Sequence, residues 1–181
     1  MIKKLVDLYK IPLLVSVTLS VVLIALRLER DTISLMFLVV GAVLGTFFLD
    51  LDYFIYAFLL EPNTDFSRTL ASFVKNGDIS NALSYIYYHK NDIAEKTLHS
   101  VFFQLVLAGA ALLVVSSNSS YFIKAFVLSA FVNSIYRLVE HYLNGRVAAW
   151  FWMLKNKPRE NSLRLYVCAF VLVFLYCLKG F

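Results

Sequence analysis

The stretch GTFFLDLDYFIYAF places Asp50 and Asp52 two residues apart in a run otherwise built of Phe, Leu, Tyr and Ile. Carboxylates are costly in or beside hydrocarbon, so residues of this kind face a cavity, pair with one another, or bind an ion. Three more ionisable side chains sit at the ends of apolar runs: His99 opens one, and Glu140 with His141 closes another. If those run ends lie at one level, five such groups from three segments converge, and that convergence is a site expectation.

The segments that must position them are membrane spans. With 60% hydrophobic and 16% charged residues in 181, and a mean hydropathy of +0.72, the chain is far more apolar than a soluble domain. The fold class expected is an all-α polytopic membrane helical bundle. A hydrocarbon core needs about 20 apolar residues in a helix, and five runs approach this: 11–26, 33–52, 99–116, 121–141 and 162–178. No small-residue cleavage site follows the first, so it is expected to stay as an uncleaved anchor.

Orientation follows from basic residues, which cytoplasmic loops retain. Lys3, Lys4 and Lys10 precede the first span, Arg68, Lys75, Lys90 and Lys96 fall in the second connection, and Arg146, Lys155, Lys157 and Arg159 in the fourth. The opposite side carries the nearly charge-balanced RLERD turn, the uncharged SSNSS turn and Lys179. The N-terminus is therefore expected in the cytoplasm and the C-terminus outside. The net charge of +5 reflects this bias and attraction to anionic lipid headgroups. The basic residues flank spans without forming an interleaved patch, so membrane lipids are the expected partners and nucleic acid is not.

The chain reads as a single integral membrane domain over 1–181. In the long second connection, Phe66, Leu70, Phe73 and Val74, then Leu83, Ile86 and Tyr87, recur at helical spacing, with Asp65 and Asp78 as N-cap candidates and NGD between them. Interfacial helices are expected within 64–90, and again within 146–155, where Trp150 and Trp152 suit the headgroup level. Cys168 and Cys177, nine residues apart in the last run, are expected to pack as apolar side chains without a disulfide.

Facing directions refine the site. Asn133, Arg137, Glu140, His141 and Asn144 recur at three- and four-residue steps and share one helical stripe, which should point inward. Ser100 and Gln104 share a face beside His99, continued by Ala108. Asp50 and Asp52 lie about 200° apart on an ideal helix. Either the helix unwinds near Leu49, or one carboxylate reaches the site and the other holds a supporting partner.

GTFFLDLDY resembles the G-x-x-x-P-D-x-D-H element of the bacterial membrane-bound metal-dependent hydrolase family, small multi-span inner-membrane proteins, and AEKTLHS resembles that family's H-R-x-x-T-H-S element. The order of the elements agrees, and the similarity runs from about Gly41 to Leu105, with His141 as a late element. Leu49 replaces the proline, Tyr53 the following histidine, and Ala94 and Glu95 the His-Arg pair, while Asn144 and Gly145 stand where an aspartate is usual. The resemblance implies a divalent metal, zinc or manganese foremost, held by Asp50, Asp52, His99 and His141, with Glu140 or His89 filling vacant ligand roles. Such an ion lowers the pKa of a bound water and polarises the bond under attack. Glu140 would serve as general base and Arg137 as a bidentate clamp on phosphate or carboxylate. A site at the cytoplasmic headgroup level would meet lipid or lipid-linked esters and phosphoesters.

The same residues also read as a structural polar cluster, with Asp50, Asp52 and Glu140 paired to Arg137 and the histidines. On that reading the chain is a non-catalytic membrane subunit or scaffold that packs against a membrane protein partner or a second copy. Gly41 and Gly45 form a G-x-x-x-G pair suited to close helix packing, within the chain or between chains. His89 is expected at the solvent or headgroup side. No ionisable residue marks a path through the midplane, which disfavours a channel or transporter. Nucleotide loops, a Ser-His-Asp order and EF-hands are absent from the sequence, and the sequon-like Asn118-Ser119-Ser120 is too short a pattern to carry weight.

Overall fold

A computed structural model describes residues 7–27, 31–90, 93, 97–155 and 158–181. Lys3, Lys4, Ala94, Glu95, Lys96, Lys157 and most of the RLERD turn lie outside the described residues. Regular structure among the described residues is helical: α1 (Lys10–Arg27), α2 (Thr32–Phe48), α3 (Leu51–Ile55) continuing into a π-helical turn (Tyr56–Leu60), α4 (Asp65–Lys75), α5 (Ile79–His89), α6 (Val101–Ser116), α7 (Tyr121–Leu143), α8 (Val147–Trp150) and α9 (Glu160–Gly180).

Side-chain caps fix most of the helix starts by satisfying backbone N–H groups that have no intrahelical partner. Asp31 accepts from the Ser34 amide at 2.9 Å, Asp78 from Asn81 at 3.2 Å and Ser100 from Phe103 at 3.3 Å. Thr64, one residue earlier than expected, caps α4 through the Ser67 amide at 3.2 Å, which leaves Asp65 in the first turn. Gly77 (φ 69°) separates α4 from α5 and Gly145 (φ 68°) ends α7, both in the left-handed region that glycine enters without steric cost.

Helices α7 and α9 are each long and apolar enough to cross a membrane. The bent pair Thr32–Phe48 and Leu51–Leu60, which meet at 46°, passes the same test as one broken span, whereas Lys10–Leu26 and Val101–Ser116 are shorter apolar helices. The expected third span starts two residues later than read from the sequence, because His99 precedes the Ser100 cap.

Helix α7 is the axis of the bundle. Ala125, Leu128, Ala130, Phe131 and Leu138 on it are fully buried, and α1, α2, α6, α8 and α9 pack around it. Its closest neighbour is α2, and the glycine pair is the reason. A Cβ on Gly41 would collide with the Phe122 carbonyl oxygen, and one on Gly45 would lie 2.5 Å from that of Phe126. Both obstacles are backbone and cannot rotate away. Gly45→Ala should therefore cost about 1–3 kcal/mol by overpacking. Gly109, also mid-helix but with nothing within 4 Å of its Cβ position, is the control. Gly109→Ala should be neutral or stabilising, since alanine favours helix. Unfolding midpoints in detergent measure the difference, and equal losses at both positions would refute this packing account.

Helices α4 and α5 fold back over α3, burying Tyr53, Ala57, Leu70, Ala82 and Ile86 in a second small core. The two tryptophans of the fourth connection differ in burial. Trp150 is fully buried with Val101, Leu138, Phe151 and Leu163, while Trp152 is 36% exposed. Cys177 packs in the main core, Cys168 is exposed, and both are free thiols.

Candidate functional site at the Asp50–Asp52 turn

Helix α2 stops at Phe48 and the chain turns once before α3. Asp50 donates its amide to Phe47 O at 3.0 Å, Asp52 to Leu49 O at 3.2 Å and Tyr53 to Asp50 O at 3.2 Å, a run of tight i→i−3 bonds. The helix tightens and bends by 46° at Leu49 rather than unwinding, with Leu49 and Asp50 both keeping right-handed helical dihedrals, and the bend sends the two carboxylates to different partners.

Asp52, 1% exposed, is directed at the segment leading into α6. Its Oδ1 accepts from the Thr97 amide at 3.0 Å, and its Oδ2 from the amides of Leu98 at 2.8 Å and His99 at 3.0 Å. Oδ2 also lies 3.1 Å from His99 Nδ1. An ionised carboxylate only accepts hydrogen bonds, so this contact places the proton of the neutral ring on Nδ1 and the lone pair on Nε2. Asp52 thus fastens α3 to the entry of α6 and orients an imidazole.

Asp50, 3% exposed, is directed at α7 instead, with Oδ1 3.6 Å from a terminal nitrogen of Arg137. Its Oδ2 has no hydrogen-bond partner among the described residues. Arg137 donates to Glu140 Oε2 at 3.1 Å, and Lys90 at the end of α5 donates to Glu140 Oε1 at 2.8 Å. Asp50, Arg137, Glu140 and Lys90 form an ion-pair chain from the buried turn to the surface. Tyr9 faces Asp50, and burial together with that carboxylate holds its phenol above the ordinary tyrosine range.

The Lys90–Glu140–Arg137 part of this chain borders an open pocket of about 40 Å³, also lined by Tyr53, His99, His141, Asn144 and Arg146. That is room for a few waters or one small tetrahedral group. His141 Nδ1 lies 2.8 Å from the Arg137 carbonyl oxygen, which again places its lone pair on Nε2. The Trp150 indole packs edge-on against both imidazoles, with ring centroids 6.1 Å from His99 and 5.4 Å from His141. It is anchored by donating Nε1–H to Gln104 Oε1 at 3.2 Å, an oxygen that also accepts from the Tyr166 hydroxyl at 3.0 Å.

The structure therefore brings His99, Arg137, Glu140 and His141 to one pocket, sets Asp52 behind His99, and sets Asp50 behind Arg137. His89 lies outside the pocket lining, half-buried, with its ring 4.4 Å from Tyr85. The residues present do not fit a divalent ion. Among the described residues no group of three or more His, Cys, Asp or Glu side chains can hold a metal. Both Asp52 oxygens are filled by N–H donors, and Asp50 faces a guanidinium. The expected ligand set of Asp50, Asp52, His99 and His141 is divided by the turn at Leu49, and Glu140 is held by two cations.

Sequence reasoning missed the partners: Lys90 as the cation on Glu140, Trp150 as the ring against both imidazoles, and a polar junction deeper in the bundle. There Ser129 donates to the Ala42 carbonyl at 2.6 Å, so its oxygen receives the Ser16 hydroxyl at 2.8 Å. Thr46 (2.6 Å) and Asn133 (2.9 Å) in turn donate to Ser16. The four-residue steps Thr46–Asp50 and Ser129–Asn133–Arg137 were the available signal that these residues extend the site's stripe inward. Compared with family models, curated proteins and solved structures, the chain matches none.

Proposed function

We propose that the chain is a membrane-embedded hydrolase acting on a lipid or lipid-linked ester or phosphoester at the headgroup level of a bacterial inner membrane. In this reading the bundle has five spans, with the N-terminus and the site on the cytoplasmic side and the C-terminus outside. Helices α1 and α6, about 27 and 24 Å long at 1.5 Å per residue, cross with modest bilayer thinning. The basic residues of the second and fourth connections then share the side of the pocket.

The observation that carries the proposal is the Asp52–His99 pair opening on a pocket lined by Arg137, Lys90 and Arg146. A carboxylate that fixes Nδ1–H leaves Nε2 as a base of defined direction. His99 Nε2 takes a proton from water as the water oxygen bonds to the ester carbon or phosphorus. The imidazolium then returns that proton to the leaving alkoxide as its bond breaks. The cations stabilise the charge that develops on the substrate oxygens, and Glu140 holds Lys90 and Arg137 in place. The resemblance implies a metal, but the ligand geometry does not fit one, and no step here uses it.

The second reading, a structural subunit, is favoured by Asp52 spending its acceptors on backbone amides. Turnover separates the two. Detergent-purified protein is assayed with short-chain fluorogenic carboxylic and phosphate esters, with and without chelator. The parent should hydrolyse one class, the chelator should leave the rate unchanged, and His99→Gln should lower kcat at least a hundredfold. An inactive parent, with or without added divalent metal, would leave the structural reading in its place.

A further inference from the structure

The cleft between α1 and α7 has a polar end and an apolar continuation. The polar end is a cavity of about 220 Å³ reached by Lys10, Lys90 and Arg137 and floored by Ile11, Pro12 and Tyr136. Asp7 and Glu140 also line it, and Glu140 is already engaged by Lys90 and Arg137. Lys90 additionally lies 4.9 Å from the centroid of the Tyr87 ring. Deeper along the same helices is a purely apolar groove of about 270 Å³, lined by Leu14, Val15, Thr18 and Val22 of α1, Val132 of α7, and Phe174 and Leu178 of α9.

The two share a face. Ile11, Val15, Thr18 and Val22 step along α1 at four, three and four residues, and Glu140, Tyr136 and Val132 step back along α7 by fours. From Ile11 to Val22 the helix rises about 16 Å, half of a roughly 30 Å hydrocarbon core. Along α1 the cleft therefore runs about half the core, with Lys10, Lys90 and Arg137 beside Asp7 and Glu140 at its mouth and apolar side chains below, and on α9 it reaches Leu178 near that helix's end. A charged mouth over a purely apolar groove is the polarity of a phospholipid.

We propose that this cleft seats one phospholipid, its phosphate against Lys10, Lys90 and Arg137 and an acyl chain in the groove between α1, α7 and α9. The seat adjoins the His99 pocket at the shared Lys90–Glu140–Arg137 wall, on whose other side His99 and His141 lie. Identifying that lipid as a substrate rests on the hydrolase reading; the seat does not.

The test is a binding titration of the full chain in neutral detergent, read by thermal shift and native mass spectrometry at low temperature. Dioctanoyl phosphatidic acid, dioctanoylglycerol and inorganic phosphate are compared. Phosphatidic acid should bind at least tenfold more tightly than either of the others. Lys90→Gln should weaken phosphatidic acid binding about tenfold, and Thr18→Phe, which fills the groove, should weaken it without affecting phosphate. Phosphate binding as tightly as the lipid would reduce the seat to a free-anion site. Equal binding of dioctanoylglycerol, or indifference to Thr18→Phe, would also overturn the proposal. Because no turnover is read, an inactive protein that still selects the phospholipid sinks the hydrolase reading alone, and an active one without selectivity sinks the seat alone.

Discussion

Asp52→Ala should lower the unfolding free energy of the detergent-solubilised protein by about 3–5 kcal/mol, the range for stripping one partner from a buried charged contact. Three backbone amides and the His99 ring lose their acceptor together, and unsatisfied buried donors cost about 1–3 kcal/mol each before relaxation. Asp52→Asn keeps one acceptor oxygen and should fall between the parent and the alanine variant. Hydrogen exchange supplies the local readout: the amides of Leu98 and His99 should lose protection while those in the middle of α7 keep theirs. The same experiment tests the ligand reading. If Asp52 serves a metal, its loss will be felt only in metal-loaded protein and will vanish in chelator. A loss that is independent of metal and centred on Leu98 and His99 identifies the carboxylate as a fastener of α3 to α6.

Arg137→Met should cost a comparable 3–5 kcal/mol, for a different reason. Methionine fills much of the volume, so the penalty comes from leaving Asp50, 3% exposed and with Oδ2 unpartnered among the described residues, without its cation. Asp50→Asn removes the orphaned charge, and the Asp50→Asn/Arg137→Met double variant should recover most of the stability lost in Arg137→Met. Unfolding midpoints for the four proteins form a double-mutant cycle. Strict additivity would show that Arg137 is held by Glu140 alone and that Asp50 does not depend on it.

The helices were legible because their signals are local. Asp78 read as a cap and Asp65 fell one residue past the true one, the NGD break read as a turn, and the apolar runs gave α1, α2, α6, α7 and α9 to within a few residues. The polar stripe of α7 was legible too, since Asn133 and Arg137 are buried as their spacing required. What Asp52 does could not be read, because its partners are backbone amides, which every residue but proline carries. Nothing in the residue types at Thr97 and Leu98 announces that their N–H groups converge on a carboxylate 45 residues earlier. The burial of Trp150 could not be read for a related reason: an indole suits lipid headgroups and a protein core equally, and its Gln104 acceptor lies on another helix. The Ser16–Thr46–Ser129 junction was missed because isolated hydroxyls are tolerated in apolar helices, and three of them meet only after the helices have packed.

The turn at Leu49 also bears on how the chain enters a bilayer. A carboxylate at the end of a newly inserted helix must stay hydrated until its donors exist, and for Asp52 those donors lie 45 to 47 residues further along. At synthesis rates of roughly 5–20 residues per second, that is a wait of about 2–9 s. During that interval α2 can be inserted while α3 remains at the water boundary, and α4 and α5 emerge before the fastener can close. The arrival of residues 97–99 then lets Asp52 tie α3 to the entry of α6. On the five-span reading, a ribosome stalled before Thr97 should leave α3 accessible to aqueous labels that the finished protein excludes.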